Sequence, residues 1–280
     1  MAVLTQEQME EIRTKMIKVV DKLLVGRMVL NPVSVDAGVQ TYGWDQLQDM
    51  TDAEIIDKFS PGSKDMYSVS RSNVDIPIMH KGFTVSRIDL MTSERTGESI
   101  RTVGLARSVR KVAELEDKLI FVGDTTYGIN GIEQIFGETS AADQVWSTAA
   151  TAAKNPYQDV LDAITVMDYD PDFLVLNRTN YMEAMARIPD QSDSWMDMIK
   201  RELIPNVLKS TSVPEGTGYM GLVGEDIADL IIAEDYKPLD ANIEGQIVYN
   251  FDIINRAIPA FYEYGSAAGK SDMFLKLTDL

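Results

Sequence analysis

Few residues in this chain have types and spacings that could do chemistry. There are no cysteines, which excludes disulfides, thiolate nucleophiles and cysteine metal sites together. His80 is the only histidine, so any serine triad with a histidine base would have to use it. It sits in a strand-like run with no G-x-S-x-G elbow nearby, and it reads as an exposed strand histidine. Asp168, Asp170 and Asp172 have the alternate spacing that opens a calcium loop. The pattern then fails, because Phe173 stands where a glycine should turn the chain and Thr179 where a bidentate glutamate belongs. These acids read as turn residues ahead of a strand. Gly216, Gly218 and Gly221 match G-x-G-x-x-G in letters, yet no apolar strand leads directly into them and no clear helix opens at the third glycine. No catalytic, cofactor-binding or metal-binding residue is assigned. An enzyme reading would need acids converging in a cleft with perturbed pKa values.

The elements that could position such residues start with Thr102 to Gly123. Leu105, Val109, Val112, Ala113, Leu119 and Ile120 recur at three-and-four spacing and predict one long amphipathic helix. Arg107, Arg110, Lys111, Glu114, Asp117 and Lys118 lie mostly off that stripe. Arg110 with Glu114, and Glu114 with Lys118, are four apart and support the helix locally. Gly123 is its expected stop. Residues 4–25 predict another helix, with a Thr5/Gln8 capping box and an apolar face through Met9, Ile12, Met16 and Leu23. Val29 to Gln40 reads as an extended arm or loop, and Tyr42 and Trp44 as packing anchors. Met66 to Ser70 and Val74 to Leu90 predict two strands, with Pro77 barring a central position. Such a pair has little core of its own, and on pattern alone one reading is an edge hairpin of the same subunit. Asn155 and Pro156 start a helix through Met167. Phe173 to Leu176 reads as a buried strand and Ile247 to Ile253 as a strand with one covered face. Ser266 to Leu280 reads as an arm that settles on a neighbour.

Composition narrows the class. At 280 residues with 45% hydrophobic, the chain suits one large domain or two closely packed ones. No membrane-spanning run or signal peptide is evident, and a cytoplasmic site of synthesis is expected. The 44 acidic and 26 basic residues make a net charge of −18. Sequence-specific nucleic-acid binding is not expected, since neutralising phosphates needs a lysine and arginine surface. Mutual repulsion between copies would be relieved by salt.

The run RKVAELEDKLIFVGD, followed by YGINGI (Tyr127 to Ile132), resembles the spine helix and glycine turn of encapsulins. Leu4 to Ile12, the Gly26–Arg27 pair and Tyr42 to Trp44 match in the same order. Encapsulins are nanocompartment shells with the Hong Kong phage-type capsid fold, shared with the major capsid proteins of tailed viruses. The resemblance implies an α+β fold, divided here as an N-terminal helix and arm (1–50), an extension-loop hairpin (51–90), a peripheral domain with the spine helix (91–154 and 236–265), an axial domain (155–235) and a C-terminal tail (266–280). It implies an icosahedral shell protomer rather than an enzyme, whose partners are many copies of itself, with the extension-loop hairpin supported by another subunit. If viral, it encloses packaged double-stranded DNA, works with scaffold, portal or decoration proteins, and is assembled into virions in a host cytoplasm. If an encapsulin, it encloses an enzyme cargo in a cytoplasmic nanocompartment. Three departures favour the virus: the longer Val29 to Tyr42 arm, the extra material between Asp49 and Lys64, and the absence of a flavin-binding tryptophan. Some encapsulins bind flavin through a tryptophan near the return strand of the hairpin, but Ile88 to Arg95 contains none, so no flavin site is carried over. No motif places Lys58 or Lys64 as a capsid cross-linking lysine.

Overall fold

A computed structural model describes residues 25–47, 55, 64, 69–96, 100–142, 145–146, 155–167, 169–188, 192–224, 227–239, 247–262 and 271–280. The expected N-terminal helix, Lys58 and Asp168 lie outside them.

Among the described residues the long helix is the centre of the body. It runs from Ile100 to Phe121 and follows two shorter helices, α1 (Gly26–Val29) and α2 (Arg87–Thr96), so it is α3. All six residues of its expected stripe are buried, Val109 and Ile120 completely. Val122 N–H closes the last turn on Lys118 at 2.8 Å, and Gly123 takes φ +72°. A Cβ on Gly123 would lie 2.5 Å from the backbone N of Gly131, so the stop needs glycine for space as well as for conformation. Two expectations on α3 change. Glu114 pairs with Arg110 and with Lys111, at 2.9 and 2.6 Å, so Lys111 takes the place expected for Lys118. Asp117 is not off the stripe but buried beside buried Glu116.

Two sheets flank this helix. The first has the order β1-β11-β12-β4, from strands Asn31–Ser34 (β1), Ala228–Leu239 (β11), Val248–Phe261 (β12) and Met79–Ser86 (β4). The arm after Val29 therefore contributes a parallel edge strand, Asn31↔Asp229 to Ser34↔Ile232. In β12 Tyr249, Phe251 and Ile253 turn inward. Pro259 is tolerated there because the β4 ladder ends at Asn255↔Met79, leaving no bond for its missing N–H to make on that side.

The second sheet has the order β7-β13-β10-β8-β9, from Phe136–Ala141 (β7), Phe173–Asn177 (β8), Asn206–Ser210 (β9), Gly218–Gly221 (β10) and Ser271–Thr278 (β13). Phe173 and Val175 face the core shared with α3, while Leu174 and Leu176 face a second core with Val160, Ala163 and Ile199. Both faces are covered, which explains why this strand reads as an unbroken apolar run. The second core is closed by helices α5 (Pro156–Val166), α6 (Arg178–Ala184) and α7 (Trp195–Met198), the last running into a π-helical turn, Ile199–Leu203. Short elements Gly123–Asp124 (β5), Ile129–Asn130 (β6) and α4 (Ile132–Ile135) join α3 to β7.

Three further expectations are corrected. Residues 271–280 of the expected tail are not an arm: β13 lies inside the second sheet, parallel to β7 and antiparallel to β10, with Phe274, Leu275 and Leu277 buried. The strand expected from Val74 to Leu90 breaks around Pro77 and stops at Ser86. There Ser86 Oγ accepts from Asp89 N–H at 3.2 Å and donates to its carboxylate at 2.6 Å, capping α2 so that Arg87 to Leu90 are helical. Finally, the two predicted strands do not pair with each other. Val69–Asp75 (β3) pairs with Thr41–Leu47 (β2), from Thr41↔Asp75 to Leu47↔Val69, while β4 joins the main sheet.

Candidate functional site

Two joints tie the outlying segments to α3 and its sheet. The first is built on Gly26 and Arg27. The Gly26 N–H donates to Asp117 Oδ1 at 2.7 Å, and Ser210 Oγ donates to Asp117 Oδ2 at 2.7 Å. A Cβ at Gly26 would lie 2.5 Å from an Ile120 side-chain carbon, so a larger residue would have to push the buried Ile120 side chain aside to bring the α1 backbone this close to α3. Arg27 reaches Glu116 with Nε at 2.7 Å and with a second nitrogen at 3.2 Å, and Asp235 at 2.9 Å. Glu116 also accepts from Tyr236 Oη at 2.7 Å and from Asn255 Nδ2, and the guanidinium lies 5.1 Å from the Tyr236 ring centroid.

The electrostatics follow from these partners. Burial alone would lower the pKa of Arg27, but Glu116 and Asp235 outweigh it and hold the guanidinium charged. Burial, with Glu116 close by, pushes the Tyr236 phenol well above its usual range. Asp117 has only neutral donors, so burial raises its carboxyl above the usual range against the pull of Gly26 N–H and Ser210. Such a network fixes geometry, since each buried charge is matched by several directed bonds.

The second joint holds the β2–β3 ribbon. Tyr42 Oη lies 3.4 Å from Tyr262 Oη, which donates to Asp229 at 2.9 Å, and Asn31 donates to the same carboxylate at 3.1 Å. Trp44 meets the Tyr262 ring edge-on at 5.7 Å between centroids. Beneath it lies a cavity of about 180 Å³, lined by Trp44, Ser72, Asn73, Asn130, Pro259 and Phe261 among others. Trp44 Nε1 is buried without a hydrogen-bond partner among the described residues.

Among the described residues, those that looked chemical in the sequence are not brought together. His80 lies on β4 with an exposed side chain, 2.9 Å from Asp252. Asp172 accepts from Val223 N–H at 2.9 Å and so fastens a loop; no group of three metal-ligating side chains occurs among the described residues. Gly218 and Gly221 begin and end β10 and are buried, with a Cβ at Gly221 2.5 Å from Phe274. They serve strand packing and open no helix. Lys64 is exposed. The residues that sequence reading missed are Glu116, Tyr236 and Asn255. The one pointer in the sequence was the Gly26–Arg27 pair, which supplies the cation that Glu116 meets.

No helix among the described residues is long and apolar enough to cross a membrane. The fold is shared with capsids. The virus-like particle from Pyrococcus furiosus has a TM-score of 0.68 at 12% identity, covering 96% of this chain and 98% of that one. The capsid of Myoviridae phage XM1 has a TM-score of 0.69 at 14% identity, covering 90% of each chain. At the level of sequence, the chain is 22% identical over 238 residues to the type 1 encapsulin shell protein EncA of Myxococcus xanthus (strain DK1622), across 83% of this chain and 81% of that protein. The family described as Linocin_M18, encapsulating protein for peroxidase, matches residues 1–237, and this α+β chain with the Hong Kong phage-type capsid fold belongs to that family of self-assembling shell proteins.

Proposed function

We propose that the biochemical activity of this chain is assembly itself, as the protomer of a closed icosahedral shell that encloses a protein cargo. The family match across residues 1–237 carries this reading, and the relation to EncA supports it. In this reading the two joints are the means by which one subunit keeps the shape that a closed symmetry requires. The β2–β3 ribbon has cross-strand pairs such as Thr41 with Asp75 at 2.7 Å, but its only described packing is at its base. It is suited to lie on a neighbouring copy, and the compartment would stand in the cytoplasm.

A second reading has its own support. The phage XM1 capsid is matched over 90% of both chains, and the segment between Asp49 and Lys64 departs from the encapsulin pattern. Under it the shell is a tailed-virus capsid around double-stranded DNA, made with scaffold and portal partners. Electron microscopy of the chain expressed alone, with the ultraviolet absorbance ratio of the particles, separates the two. Uniform closed shells with host protein and little nucleic acid are expected for the compartment. Open sheets or tubes that close only with a scaffold or protease are expected for the virus. A monomer with catalytic turnover would overturn both.

A further inference from the structure

The long helix sorts its charges by face. Glu116 and Asp117 are buried and held inward. Between Val103 and Lys118 the exposed positions are Val103, Arg107, Arg110, Lys111, Leu115 and Lys118, which are four cations, two apolar residues and no acid. The single carboxylate on that side, Glu114, is shared by Arg110 and Lys111. Arg107 and Lys118 make no ion pair among the described residues. In a chain of net charge −18, this face has the opposite sign from the whole.

We propose that the exposed face of α3 is a contact for the phosphates of nucleic acid, without base specificity. At about 1.5 Å per residue the cations run over roughly 17 Å, and a duplex presents one charge per about 1.7 Å of its axis. A line of cations that long lies against several phosphates at once. Arg107 and Arg110, three apart on the same face, supply planar donors that suit phosphate oxygens. The exposed positions include no aromatic residue on which a base could stack, which leaves the backbone as the thing read. Val103 and Leu115 stand about 18 Å apart along the axis, too far to form the clustered apolar anchor that a protein partner uses. An acidic peptide is therefore the weaker fit. In a shell the face repeats in every copy, so weak contacts add along one long polymer. The inference goes beyond the cargo reading and stands whether or not the shell encloses protein. It also locates a basic surface that the overall composition conceals.

The test uses the full chain as dissociated subunits and a fluorescent duplex of about 25 base pairs of mixed sequence, followed by anisotropy at salt from 50 to 200 mM. With about three phosphates neutralised, the affinity is expected to fall about fortyfold across that range. In Arg107→Gln/Lys118→Gln, which changes two exposed side chains, the fall is expected to shrink to about threefold, with weaker binding throughout. No binding at the lowest salt, or a variant with unchanged affinity and salt dependence, overturns the proposal. Equal displacement of the duplex by polyglutamate at equal charge assigns the face to an acidic protein segment and also overturns it. A variant lacking residues 1–24 that binds at least tenfold more tightly assigns it to that segment of the chain instead. The same preparations are imaged after reassembly. Shells without binding sink this inference alone, whereas binding without shells sinks the assembly reading alone.

Discussion

Two adjacent carboxylates on α3 are held by different means, and they should answer mutation differently. Glu116 faces a cation and two further donors, so Glu116→Gln leaves the half-buried Arg27 with the exposed Asp235 as its one remaining ionic partner among the described residues. Removing one member of a fully buried pair costs about 3–5 kcal/mol; because Arg27 keeps Asp235, a loss of unfolding free energy below that range is expected for the isolated subunit, read from a lower urea midpoint at unchanged slope. Asp117 has no cation. Its folded pKa is raised by burial, so the folded state holds the proton more tightly than the unfolded chain does. Its contribution is fully present below the ordinary carboxylate range and is lost as pH rises through the raised value. Lowering pH from neutrality towards about 4 is therefore expected to stabilise the wild type relative to Asp117→Asn. Urea titrations of the two across that window check this; a flat or opposite difference would remove burial as the controlling term. Neither role was legible from periodicity. A helical wheel classes Glu116 and Asp117 as polar, and their burial is created by Gly26, Ser210 and Asn255, which lie some 90 to 140 residues away in the chain.

At the scale of elements, local patterns were readable where the residue's own neighbours decide the outcome. The α3 stripe, its glycine stop and the Asn155 cap, which accepts from Gln158 N–H at 3.1 Å, all follow from spacing or from known cap chemistry. What failed was pairing at a distance. The Ser86-x-x-Asp89 cap was a local signal for the start of α2, but it was hidden inside an alternating run. The β2–β3 ribbon and the place of β13 depend on strands far off in sequence, and nothing in Ser271 to Thr278 names its partners. Removal of residues 271–280 tests the corrected position. Phe274, Leu275 and Leu277 each withdraw about 1.5–3 kcal/mol of apolar burial, and β7 and β10 lose the strand between them. Against a typical total of about 5–15 kcal/mol, the truncated chain is expected to be insoluble. A soluble truncation with unchanged circular dichroism would restore the arm reading.

For the molecule as a whole, the charge of −18 makes association of many copies dependent on ionic strength. Exposed charges are screened beyond about 10 Å at 0.1 M salt, so the yield of closed particles from subunits is expected to rise with salt, read by light scattering. A yield that falls with salt would mean that ion pairs between copies hold the shell. The position of β13 bears on how the molecule comes into being. Gly221 at the end of β10 and Ser271 at the start of β13 are separated by 50 positions, and a ribosome needs about 3–10 s to cover them. During those seconds the edge of β10 that β13 will cover, and the apolar side chains around it, stand open on the nascent chain. That interval is when the protein is most exposed to wrong partners, including other nascent copies on the same message. A subunit whose second sheet closes so late cannot present a finished outline to a growing shell until translation has passed Thr278, which keeps assembly in step with synthesis.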